Sequence, residues 1–358
     1  MFTVTASRST VQVVLAIATG LAAGLLVWFY YSQYAPGVWS DFDQVWLGSR
    51  ALLERRDPYH EVPRSFPWPL YYPLPTLLVG LPFALWSLVT ARILFALVTA
   101  SIGAWAILRY RPQAWPLLLS APFVYGIVRG QWASVLVAAA LIPWLGGLAV
   151  VKPSIGLATF AAHPSRRAVV GGAILLLLSL LVDPSWPAAW RHGLQTTPHM
   201  IVPVLKPGGI ILLAALGRWR RADARLLAVL ACVPQTPSPY DLFPMALIPA
   251  TLRQSLIMGL SWNVLYLVTL APHYSSVPLT MADVPLRENL IYWPAYFVLG
   301  YFPALLAVLS PSPLADLPHD FASWAAWRRR AYRVAWGAVL GVVSAVALLW
   351  AYLIWAGA

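Results

Sequence analysis

The chain has 358 residues, 60% of them apolar and only 10% charged, with a mean hydropathy of +0.71 and a formal net charge of +12. That composition excludes an ordinary soluble domain, whose core needs far less apolar side chain. It predicts an all-α polytopic membrane protein, helices being the expected spanning element. The single cysteine, Cys232, excludes an intramolecular disulfide and a cysteine metal cluster.

The positive charge is almost entirely arginine, lysine occurring only at Lys152 and Lys206. Arginines cluster as Arg109/Arg111, Arg166/Arg167, Arg218/Arg220/Arg221/Arg225 and Arg328/Arg329/Arg330/Arg333, each group between apolar runs. This is the pattern of cytoplasmic loops under the positive-inside bias, with contact to anionic lipid, and it argues against nucleic acid as a partner.

With those clusters held inside, the chain threads in order. Residues 11–31 are long enough to cross a bilayer and longer than a secretory h-region, so they read as a retained first span running outward from a cytoplasmic N-terminus. Residues 35–70, rich in Pro, Trp and charge, lie outside. Residues 74–89, broken by Pro75 and Pro82, read as an interfacial or re-entrant helix, and 93–108 return inward to Arg109. Residues 114–128 go out again, which puts Arg129, Gly130 and Gln131 on the outer side, and 132–144 come back. Residues 145–162, interrupted by Lys152-Pro153, read as two half-helices with Lys152 near the turn, irregular backbone at that depth being tolerated where protein or water covers it.

Later spans are expected at 201–216, 226–233, 242–252, 257–271, 291–309 and 334–355, following one at 169–182, for about 11–13 crossings in a single integral membrane domain covering 1–358. Strict alternation, with 74–89 counted as a span, would instead put Arg109 and Arg111 outside and Gln131 inside. The sequence shows no internal repeat of the inverted-repeat transporter kind.

Acid is scarce and unevenly placed. Of 12 Asp and Glu residues, Asp41, Asp43, Glu54, Asp57 and Glu61 fall in the one loop after the first span. On the preferred thread the outer face also collects Arg129 and Gln131, the loop 183–199 with Arg191, His192 and His199, the turn 237–241 with Tyr240 and Asp241, and residues 273–288. Charged and imidazole groups thus gather opposite the arginine-rich side.

Ser40-Asp41-Phe42, Trp46, Gly48-Ser49-Arg50-Ala51-Leu52, Asp57-Pro58-Tyr59 and Tyr71-Tyr72-Pro73-Leu74 resemble the start of the family-87 glycosyltransferases of the GT-C class. Gly130-Gln131, Lys152-Pro153 and Tyr240-Asp241 come later in the same order as in those enzymes. The resemblance covers roughly residues 10–260, a GT-C-like catalytic module; residues 261–358 carry no matching motif and read as variable C-terminal helices. Glu54-Arg55-Arg56 departs from the pattern, since a glycine usually precedes the Asp-Pro-Tyr.

The resemblance implies a GT-C-type bundle whose first extracytoplasmic loop carries interfacial helices. It also implies inverting transfer of a sugar, often mannose, from a polyprenyl-phosphate donor to a lipid-linked or glycan hydroxyl at the outer face of the cytoplasmic membrane. A carboxylate within hydrogen-bond reach of the acceptor hydroxyl takes its proton as the new bond forms. Asp41 is the expected base, its alternative being a helix cap. Asp43 either supports it or is merely solvated: on an extended segment the two share a face, whereas on a helix they diverge by about 200°.

The leaving phosphate needs positive charge or donors. Lys152, set in apolar sequence where an ammonium is costly, is expected to meet it or to pair with a carboxylate. Arg129 offers a bidentate fork to phosphate or is an ordinary interfacial arginine, and Gln131 either joins it or satisfies backbone groups. Tyr59, Tyr72, Arg191, His192, His199, Tyr240 and Asp241 are the further substrate-binding candidates, with His192 and His199 reading alternatively as neutral surface histidines and Tyr59 and Tyr72 as interface-belt residues. No cofactor is called for and no metal-site spacing occurs, although a divalent cation bridging Asp41, Asp43 and phosphate stays open. A polyprenyl-linked sugar flippase and a noncatalytic envelope-assembly subunit are the competing readings.

Overall fold

The computed structural model describes residues 8–195, 200–236, 238–269 and 293–310. Among them the backbone is helical throughout, relieved only by turns and one isolated antiparallel bridge between Ile201 and Gln235. The expected span 334–355, the arginines at 328–333, His199 and the loop 273–288 lie outside the described residues.

Helix α1 (Arg8–Phe29) runs without a charged residue beyond its first position and continues through a π-helical turn, Tyr30–Tyr34. After Ser40 come α2 (Asp41–Leu53), α3 (Pro58–Ser65) and α4 (Leu74–Ala84), then the long α5 (Leu88–Tyr110). Glycine lets α1 press against α5: a Cβ at Gly20 would stand 1.9 Å from Ser101 Oγ and 2.6 Å from the Leu97 carbonyl oxygen. At about 1.5 Å per residue α5 separates Arg92, near its start, from Arg111, just past its end, by about 28 Å. These two arginines mark opposite poles of the molecule.

Proline shapes the segments beyond α5. A 3-10 segment, Pro112–Leu119, stops at Ser120, and α6 (Ala121–Val128) meets α7 (Ala133–Leu141) at a bend of 118°. Gly146–Val151 is again 3-10 and α8 (Pro153–Ala162) starts immediately after Lys152, so this stretch is two short helices with the lysine at the break. Helix α9 (Arg166–Val182) bends by 97° into α10 (Trp186–Gln195).

The expected spans at 201–216 and 242–252 are corrected. The first is Pro203–Leu205 and Gly209–Arg218, the second lies mostly in Pro239–Leu247, and all three pieces are 3-10 helix. Pro203, Pro207, Pro239, Pro244 and Pro249 remove amide donors and clash with the preceding turn, so a long α-helix cannot propagate there. Between and after these pieces stand α11 (Ala222–Cys232) and α12 (Leu252–Thr269). A turn at Trp293–Ala295 then leads through a π-helical stretch, Tyr296–Tyr301, into α13 (Phe302–Leu309).

By length and composition, two helices among the described residues can cross a membrane, Ser9–Tyr34 and Leu88–Tyr110, or up to four if each bent pair is one span. Several of the other expected spans are short apolar runs that fold here as 3-10 pieces and helices of 8–11 residues, while 169–182 and most of 257–271 fall in helices of 17 and 18 residues.

Two apolar clusters hold these elements. The larger joins α1, α5, α11, α12 and α13; the smaller seats α2 and α4 on α5 and α7. In the smaller one Phe42 stacks on Phe95 with centroids 4.3 Å apart, and Phe95 meets the edge of Trp132 at 5.0 Å. Each ring buried there contributes about 2 kcal/mol, which fixes the start of α2 and with it Asp41.

Candidate active site

Helix α2 begins where it does because Ser40 is an extended N-cap and Asp43, three residues on, closes a capping box with it. Two acids in the first turn also favour the helix dipole. Asp41 is the first helical residue, and its amide donates to the Arg129 carbonyl at 3.0 Å. The turn that supplies this carbonyl depends on Gly130, at φ +66°, where a Cβ would fall 2.4 Å from Phe42 Cβ. Backbone conformation and lack of space both require glycine there.

Around the Asp41 carboxylate, residues from four parts of the chain converge. Arg129 Nη2 lies 3.3 Å from Oδ1, and Tyr240 Oη donates to Oδ2 at 3.1 Å, as does Gln131 Nε2. The other end of the Gln131 amide accepts from Lys152 Nζ at 2.9 Å. Lys152 also forms an ion pair with Asp241 at 2.6 Å and stands 5.1 Å from the centroid of the Tyr240 ring. Thr236 donates to Asp241 Oδ2 from its amide at 2.9 Å and its hydroxyl at 2.7 Å. The result is a chain of contacts, Arg129–Asp41–Gln131–Lys152–Asp241, with two positive and two negative charges.

Solvent access differs sharply along it. The side chain of Asp41 is 21% exposed, that of Asp241 2%. Three donors occupy three of the roughly four acceptor positions of Asp41, leaving one on Oδ1. The acid therefore keeps one place for an incoming O–H. Burial, followed by the charges of Asp41 and Asp241, pushes the phenols of Tyr240 and Tyr72 well up, so both stay neutral, and Tyr240 is the one that donates to Asp41.

Asp43 takes no part in the contacts around Asp41. The segment is helical, so Asp43 points away from Asp41, and its side chain is fully buried. Arg92 Nε donates to Oδ1 at 2.8 Å and Nη2 to Oδ2, while Ser40 donates from amide and hydroxyl at 2.7 and 2.6 Å. Arg92 in turn lies 4.0 Å from the centroid of Tyr31, and Tyr31 Oη reaches the Val128 carbonyl at 2.9 Å. Asp43 thus fastens the loop to α5 and α1, which corrects the alternative that it is solvated.

Tyr72 is buried beside Gln131, and Tyr59 stands behind it, its hydroxyl donating to the Tyr72 carbonyl at 3.2 Å. Arg191 and His192 are exposed on α10 and enter none of the hydrogen bonds of the cluster. Helix α10 is instead tied by Trp190, whose Nε1 donates to the Tyr71 carbonyl at 2.9 Å.

Three participants escaped sequence reasoning. Arg92 carried a signal, an arginine at the head of an apolar run, where an ionisable group is costly without a partner. Thr236 precedes the Tyr-Asp pair by a proline-rich turn. Tyr125, whose ring stacks on Tyr240 at 5.8 Å, carried no signal in an apolar stretch.

No family model matches the chain. No curated protein matches it, and neither does any solved structure.

Proposed function

We propose that the protein is an inverting, polyprenyl-phosphate-sugar-dependent glycosyltransferase of the GT-C class, acting at the outer face of a cell membrane with Asp41 as the base. One observation carries this reading. Asp41 is the partly exposed acid of a cluster whose other carboxylate is sealed, and it retains an acceptor position for a hydroxyl.

In the reaction the acceptor oxygen attacks the anomeric carbon. The bond from that carbon to the phosphate oxygen breaks, the lipid phosphate leaves with the electron pair, and the acceptor's proton passes to Asp41. Arg129 and Lys152, 21% and 14% exposed, supply the positive charge nearest that acid for the departing phosphate. A cavity of about 400 Å3 lined by Leu26, Tyr30, Tyr34, Val128, Tyr125 and Tyr266 is apolar enough for a prenyl chain. Tyr125 joins it to the cluster through Tyr240.

The test is incubation of purified protein with a panel of polyprenyl-phosphate sugars and a membrane lipid extract, reading products by mass. A new glycosylated product is expected, and Asp41→Asn should reduce its rate by about 10²–10⁴-fold while leaving donor binding intact. Product formation by the variant at near wild-type rate removes Asp41 from the chemistry.

The bent helix pairs and the Lys152–Asp241 ion pair favour a second reading, a flippase for the same lipid-linked sugars. In that case the donor is moved across vesicles and no product mass appears.

A further inference from the structure

At the opposite pole, past the end of α5, a cavity of about 270 Å3 is lined by Arg111, His163, Arg221, Asp223 and apolar side chains including Leu226 and Leu247. Its charges are unequally met. Arg221 and Asp223 cancel each other through a two-point contact, Nε to Oδ1 at 3.0 Å and Nη2 to Oδ2. Asp223 Oδ1 also receives the Ala224 amide at 2.9 Å, so this carboxylate is already engaged in the first turn of α11.

Arg111 hydrogen-bonds only to carbonyls, with Asp223 acting on it across the cavity without an ion-pair contact. Its Nη2 donates to Leu247 O at 2.6 Å and Pro249 O at 3.0 Å, and its Nε is buried without an acceptor. Behind the Ala162 wall, Arg225 is held in the same way: Nε to Ala161 O at 2.7 Å, Nη2 to Ala162 O at 2.8 Å, Nη1 to Arg220 O at 2.9 Å. Among the described residues neither guanidinium meets a carboxylate. Carbonyl dipoles orient a guanidinium but do not neutralise it, so the wall keeps net positive charge in largely apolar surroundings. His163 lines the same cavity, and burial, followed by Arg111 and Arg225, holds its imidazole below the usual histidine range.

We infer that this cavity binds a phosphate group, with Arg111 as its principal ligand and Ala162, Leu226 and Leu247 as its apolar wall. A cavity just under the roughly 300–1,000 Å3 of drug-sized pockets suits a phosphate with a small attached group. The group belongs either to a lipid headgroup, as in basic pockets between membrane helices, or to free phosphate. The site is far from Asp41 and does not rest on the glycosyl-transfer reading.

The test is calorimetric titration of the full-length protein in a non-ionic detergent with inorganic phosphate, short-chain phosphatidylglycerol and short-chain diacylglycerol. Saturable binding of phosphatidylglycerol alone assigns the site to a headgroup, and saturable binding of phosphate assigns it to the free anion; either supports the site. Arg111→Gln should weaken that binding about tenfold or more, as loss of a charged hydrogen-bond donor does, while Arg50→Gln on exposed α2 leaves it unchanged. Should Arg111→Gln fail to fold, Asp223→Asn, which removes the cavity's negative charge and keeps an oxygen for the Ala224 amide, must tighten binding severalfold. No binding of either phosphate compound, equal binding of diacylglycerol, the same affinity in Arg111→Gln, or no tightening in Asp223→Asn overturns the inference.

Discussion

Cations are held differently at the two poles. Arg92, Arg129 and Lys152 each face a carboxylate drawn from a distant part of the chain, at separations of 49, 88 and 89 residues. Arg111 and Arg225 instead grip the last carbonyls of neighbouring segments. The acid pole is close to neutral and its contacts join side chain to side chain, so protonation or an arriving anion redistributes them. At the arginine pole Arg111 and Arg225 keep their charge, and their contacts join side chain to backbone, which fixes where helical segments end.

The largest expected effect lies at the acid pole. Asp43→Asn leaves a buried guanidinium without its counter-charge and should cost about 3–5 kcal/mol, read from denaturant unfolding in mild detergent. An unfolding midpoint equal to wild type would show that the Arg92 pair is not what fastens the loop. Next comes Gly130→Ala, which forces a β-carbon into the left-handed region and against Phe42. About 1–3 kcal/mol should be lost, and the Arg129 and Gln131 contacts to Asp41 should loosen with it. Unaltered stability together with unaltered donor affinity in that variant would uncouple the turn from the acid.

Arg225→Lys tests the other pole. An ammonium cannot reach the Ala161, Ala162 and Arg220 carbonyls together as the guanidinium fork does, so about 1 kcal/mol should go. A lysine variant as stable as wild type would mean that charge alone suffices there. The smallest effect concerns His163. Its folded-state pKa lies below the unfolded value of about 6.5, so the unfolded chain binds more protons as pH falls past that value and stability is lost on acidification. His163→Gln should flatten the melting profile between about pH 5 and 7 by about 1 °C. A wild-type profile already flat in that window would contradict the depressed imidazole.

Much of the acid pole was legible because its residues are expensive where they stand. Asp41, Arg129, Gln131, Lys152, Tyr240 and Asp241 are polar groups in or beside apolar sequence, and the structure brings all six together. The break at Lys152-Pro153 was equally readable, since proline opens a helix but cannot continue one. What sequence could not show was pairing at long range. Whether Asp43 shared a face with Asp41 stayed open until α2 proved helical and Arg92, 49 residues on, closed over it. Arg191 and His192 were candidates from a proline-interrupted loop, a surface histidine being the alternative, and α10, set by Trp190, leaves both exposed. The runs at 201–216 and 242–252 were read by apolar content, while their prolines decided the backbone.

Gln131 has one further consequence. Its amide hands a proton donor to Asp41 and takes one from Lys152, so it cannot flip end for end without facing donor to donor and acceptor to acid. The two ion pairs on either side are therefore yoked. A newcomer that lures the lysine toward itself slackens the amide, and with it the grip on the aspartate, so arrival at one end is felt as release at the other.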